Sequence, residues 1–159
     1  MSMQTAWSLS WIGGLCLIAL TLAIHAFGIA VLVRTAERIT FNPGTPGRLD
    51  RHPMTLTACA LGLVGWVLAV LHGIEAGIWA AAYLWLGAIG SARDAMLYSV
   101  DSITTRGASG LVLEQEWRML GALEAADGML LFGISTAFAF AIIVRIDHII
   151  LKKMQGLRP

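Results

Sequence analysis

The chain has 159 residues, 57% of them hydrophobic and 13% charged, with a mean hydropathy of +0.74 and a formal net charge of +1. A soluble enzyme needs a charged surface that this composition does not supply, and a near-neutral balance offers no basic face to nucleic acid. What remains is an all-α integral membrane protein, expected to be neither an enzyme nor a cofactor carrier.

In chain order, "MSMQTAWSLS" lacks the positive segment of a signal peptide, and the apolar run 11–33 is too long for a cleaved one, so a helix within 1–34 is expected to stay in the bilayer. Segment 35–53 contains "FNPGTPGRLDRHP", where Pro43, Pro46, Pro53, Gly44 and Gly47 break helices and favour turns, so it reads as a connector. The next apolar run, 54–88, would be about 52 Å long as one helix at about 1.5 Å per residue, against a hydrocarbon core of about 30 Å. It must tilt, protrude or bend, and "HGIEAG" at 72–77 is the expected bend.

The stretch 92–104, "ARDAMLYSVDSIT", is too short to span and return. Asp94 near its start suits a helix N-terminus, so it reads as a short helix dipping in from one side. A loop rich in Thr, Gly and Ser follows it, through 104–110. Irregular backbone at membrane depth is tolerated only where protein buries it or where it lines a water-filled cavity, so the pairing points to a pore. A third span is expected at 117–145 and a cytoplasmic tail at 146–159.

The basic residues fix an orientation. Arg34, Arg38, Arg48 and Arg51 flank the first loop, and Arg145, Lys152, Lys153 and Arg158 lie at the C-terminal end, against Arg93, Arg106 and Arg118 in 89–118. The positive-inside rule places loop 35–53 and the tail in the cytoplasm of a cell-membrane protein, with the N-terminus and 89–118 outside.

Polar residues inside the spans are rare and default to function. Here they are His25, His72, Glu75, Glu124 and Asp127. His72 and Glu75 share a face at i, i+3, as do Glu124 and Asp127. A histidine and carboxylate pair is a metal-ligand type, but no second motif of that kind accompanies it, so hydrogen bonding between helices is the simpler expectation, gating or proton sensing through a histidine is the alternative, and no metal is assigned. Cys16 and Cys59 read as buried inert thiols. Gly128 and Gly133 serve packing or a hinge in the last helix, and Gly73-x-x-x-Gly77 suggests contact with the first. Trp7, Trp11, Trp79, Trp85 and Trp117 fall where an interfacial aromatic belt is expected.

The stretch "MLYSVDSITTRGASG", followed by "EWRMLGALEAADGMLLFGISTAFAFAII", resembles the pore helix, filter and inner helix of the tetrameric potassium channels. That family's filter runs TTVGYGD; this chain has Thr104, Thr105, Arg106, Gly107, Ala108, Ser109 and Gly110, of which Thr104, Thr105 and Gly107 match. The resemblance covers about 92–144, and 54–88 by position only, with the first helix an addition to a two-helix pore. It implies a homotetramer in a lipid bilayer that passes inorganic ions.

The departures alter what the resemblance implies. Ala108 removes the aromatic that braces the family's filter, and Ser109 carries a Cβ that disfavours positive φ, so potassium selectivity is not carried over. Arg106 then has two readings: a clamp to Asp101, where some family members carry an acid behind the filter, or a ring of four arginines favouring anions. A non-conducting structural or regulatory protein that keeps the channel fold is the alternative function.

Overall fold

The computed structural model describes residues 3–40 and 53–156. Four α-helices follow in order: α1 (Met3–Thr40), α2 (Pro53–Trp85), α3 (Ala92–Ile103) and α4 (Arg118–Gly156), with a 3-10 turn at Gln115–Trp117 leading into α4. No strand occurs among the described residues. Three stretches are helical, long and apolar enough to cross a membrane: Trp7–Thr35, Thr57–Trp85 and Gln115–Ile146.

Local chemistry sets the helix ends. Pro53 opens α2, where its missing N–H is no loss. Gly87 at φ 68° closes it: Gly87 N–H donates to the Leu84 carbonyl at 3.1 Å and Ala88 N–H to the Tyr83 carbonyl at 2.9 Å, the paired bonds of a Schellman cap. This cap ends α2 at Trp85, three residues short of the expected 88. Ser91 caps α3 by accepting from Asp94 N–H at 3.3 Å. The other two long helices exceed expectation, α1 reaching Thr40 rather than 34 and α4 running through the expected tail to Gly156. In α2 the helix is continuous through 72–77. The Pro- and Gly-rich part of the connector, 41–52, lies outside the described residues.

Burial is inverted relative to a protein in water. Phe27, Trp66 and Phe140 are 72%, 67% and 66% exposed, whereas His25, Glu75, Glu124 and Asp127 have no exposed surface. Cys16 and Cys59 also face outward, contrary to the expectation of buried thiols. The apolar core divides along the bundle: Trp79, Tyr83, Ala95, Leu113 and Leu120 pack together with α3, while Val64, Leu68 and Leu71 meet Ile29, Leu32 and Phe138 elsewhere. Trp79 is wholly buried, so it leaves the expected belt, while Trp7, Trp11 and Trp85 remain exposed.

Glycines mark the close approaches, though not the expected ones. A Cβ at Gly73 or Gly77 would meet open space, so that pair makes no contact with α1. Gly14 and Gly28 of α1 instead lie against Leu123 of α4 and Leu71 of α2. Gly128 of α4 lies directly against the Ile103 carbonyl at the end of α3, and any Cβ there would collide with it. Gly133 faces open space.

Candidate functional site

The short helix α3 packs against α2 and α4 through Ala95, Ser99, Asp101 and Ile103. Its polar anchors are specific. The Ser99 hydroxyl sits between the Ala76 carbonyl of α2, at 2.7 Å, and Glu124 Oε1 of α4, while Tyr83 donates to Glu124 Oε2 at 2.6 Å. Ser102 donates to the Gly121 carbonyl at 2.9 Å. These bonds, with the notch at Gly128, fix the height at which α3 ends.

The chain beyond α3 is organised by one carboxylate. Asp101 Oδ1 accepts from Arg106 Nε at 2.6 Å and Ala108 N–H at 3.1 Å, and Oδ2 accepts from Ser109 N–H at 2.9 Å. The Arg106 guanidinium, seconded by these amides, holds the Asp101 carboxyl well below the usual carboxylate range. Thr104, Thr105, Arg106, Gly107 and Ala108 are exposed, and the Arg106 side chain remains 60% accessible beside a carboxylate that is 5% accessible. Positive φ occurs at Thr105 (56°), Gly107 (62°) and Gly110 (72°). Ser109, whose Cβ disfavours that region, stays out of it, and Gly110 takes the left-handed turn.

A second polar assembly lies among the long helices. Asp127 Oδ2 on α4 accepts from Thr21 of α1 at 2.7 Å and from Trp79 Nε1 of α2 at 2.9 Å. His25 Nδ1 of α1 lies 2.8 Å from Glu75 Oε1 of α2, and His72 Nδ1 lies 3.1 Å from Glu75 Oε2. Ser135 Oγ of α4 is 3.0 Å from His25 Nε2 and 3.2 Å from His72 Nε2. Every ionisable residue singled out within the spans therefore meets a polar group on another helix. Thr21, Trp79, Tyr83, Ser99 and Ser135 complete these contacts, and nothing in their spacing marks them out beyond being polar-tipped residues in apolar runs.

No family model, curated protein or solved structure matches the chain.

Proposed function

We propose that the chain is the subunit of a homotetrameric pore of the potassium-channel type. It sits in the cell membrane with its N-terminus outside and its C-terminus in the cytoplasm. In this reading α2 and α4 are the outer and inner helices, α3 is the pore helix, residues 104–110 line the mouth, and α1 is an added outer helix. The observation that carries it is a short helix anchored between two membrane-length helices that ends in an exposed loop, 104–108. Exposed irregular backbone at membrane depth needs copies of the chain to enclose it around a wet axis. The outward side of α3, with Met96, Leu97 and Val100 exposed, is apolar and suits a neighbouring subunit.

The Asp101–Arg106 pair favours the clamp over the arginine ring. Paired to Asp101, Arg106 adds no net charge to the mouth, and without the aromatic brace the loop does not hold a potassium-sized cage. The pore therefore passes small monovalent ions with little preference among them.

Liposomes containing the purified chain should show ion flux that survives replacement of potassium by sodium, and cross-linking in a native-like bilayer should stop at four subunits. A tetramer without flux would favour the non-conducting alternative; a monomer or dimer would sink the pore reading altogether. Cysteines introduced at Ser91 and Gln155 should label from outside and inside respectively, and the reverse would overturn the orientation.

A further inference from the structure

We infer that His25, His72 and Glu75 form a binding site for a divalent first-row transition metal of the zinc class, joining α1 to α2 inside the bundle. This rests on the interior cluster alone and not on the pore reading. One donor atom from each residue lies within 4.8 Å of the other two. Tetrahedral zinc with bonds of about 2.1 Å to imidazole nitrogen and carboxylate oxygen separates its donors by about 3.4 Å. His25 Nδ1 lies 2.8 Å from Oε1 and His72 Nδ1 3.1 Å from Oε2 of Glu75, each somewhat inside that spacing, and one donor atom from each residue falls within 4.8 Å of the others.

Hydrogen-bond bookkeeping points the same way. His72 Nδ1 and Glu75 Oε2 are buried and near each other, yet neither has an aligned hydrogen-bond partner. With both histidines neutral and both Nδ1–H groups turned to Glu75, the two Nε2 atoms become acceptors, and the single hydroxyl proton of Ser135 serves one of them. A metal on the Nδ1 side reverses the tautomers. Both rings then carry Nε2–H, and Ser135 Oγ, with two lone pairs, accepts both. Metal-bound histidines characteristically donate their second ring N–H in this way.

Charge and access fit as well. Glu75 brings a wholly buried carboxylate to the two imidazoles, the anionic donor that a dication needs among neutral ones. An open groove of about 500 Å³ between α2 and α4, lined by His72, Ser135, Phe132 and Thr136, reaches the edge of the cluster.

The test uses untagged full-length protein, stripped with EDTA and reconstituted in phosphatidylcholine nanodiscs, then titrated with Zn²⁺ and Co²⁺. One ion per chain is expected, with a visible Co²⁺ band, a higher Tm in Zn²⁺, and none of the near-ultraviolet thiolate absorption that Cys16 or Cys59 would produce. Glu75→Gln and His72→Ala should each weaken binding at least about 100-fold, and Ser135→Ala, which touches the ligands only through their outer N–H groups, about 10–100-fold. His148→Ala, on α4 beyond the cluster, should bind as the wild type does. Should Glu75→Gln fail to fold, His72→Ala and Ser135→Ala carry the comparison. Sub-stoichiometric binding by folded wild type, a thiolate signature, or undiminished binding by His72→Ala would each overturn the site.

Discussion

Each of the three buried carboxylates of the long helices takes a partner from another helix: Glu75 from α1, Asp127 from α1 and α2, Glu124 from α2 and α3. In the last turn of α3, Asp101 takes its donors from Arg106, Ala108 and Ser109, all within the eight residues that follow it in the chain. The interior acids therefore hold helices together, whereas Asp101 holds a shape. One kind of bond joins separate helices; the other lies within one short stretch of chain, which is how the exposed loop takes a defined path without a hydrogen bond from Asp101 to the long helices.

The largest loss that would sharpen this contrast is expected at Glu124. Glu124→Leu leaves the Tyr83 hydroxyl without its acceptor and Ser99 with the Ala76 carbonyl alone, at about 1–3 kcal/mol for the buried group left unpaired. Thermal unfolding in detergent should show the full drop, and Glu124→Gln, which keeps an acceptor, a smaller one. If Glu124→Leu also speeds amide exchange at Ala108 and Ser109 as much as it lowers Tm, the two regions are not independent.

Gly128→Ala should come next. Its methyl would strike the Ile103 carbonyl, which is backbone and cannot swing aside, and overpacking of this kind costs about 1–3 kcal/mol. Gly133→Ala, facing open space in the same helix, should be neutral or stabilising by up to about 1 kcal/mol. Equal effects at the two positions would mean that α3 does not sit in that notch.

Changes at Asp101 should be felt mainly in the loop. Asp101→Asn should raise amide exchange at Ala108 and Ser109 and lower Tm less than Glu124→Leu does. Arg106→Val combined with Asp101→Val should recover part of the loss, because neither charge is then left alone. Strictly additive melting, together with a changed reversal potential in Arg106→Val alone, would instead assign Arg106 to a ring in the pore.

The smallest effect is that of pH. The folded Asp101 carboxyl titrates below the unfolded value of about 3.9, so its contribution is complete above that value and fades as pH falls through the lower, folded one. Exchange protection at Ala108 and Ser109, after correction for intrinsic rates, should be unchanged between pH 7 and pH 5 and be lost only in strong acid. Loss near pH 5 would show that Arg106 and the amides do not hold the carboxylate.

Hydropathy and length alone locate the three long helices, and Asp94 marks the start of α3; the Ser91 cap is seen only in the fold. Ends were harder to read. The stop at Trp85 depends on Gly87 adopting positive φ, which the neighbouring glycine Gly90 made no less plausible three residues later. The tail was read as separate because it is charged, but "RIDHIILKKMQ" contains no helix breaker, and α4 continues to Gly156. Pairing was the least legible: His25 and Glu75 are separated by 50 residues, and periodicity shows a shared face, not which helix it meets. Trp79 was misplaced for the same reason, since an indole suits both an interface and a buried acid.

One consequence follows from the contact of Thr21 and Trp79 on a single oxygen of Asp127. Apolar helix faces in lipid are nearly interchangeable, and a helix sliding one turn past another, about 5.4 Å, would trade one set of apolar contacts for a similar set. Asp127 removes that indifference, because only one vertical setting of α1 and of α2 brings both donors to it. Helices that insert separately and then associate thus carry an address: docking at the wrong height leaves a carboxylate stranded without the two donors that meet it in the native bundle.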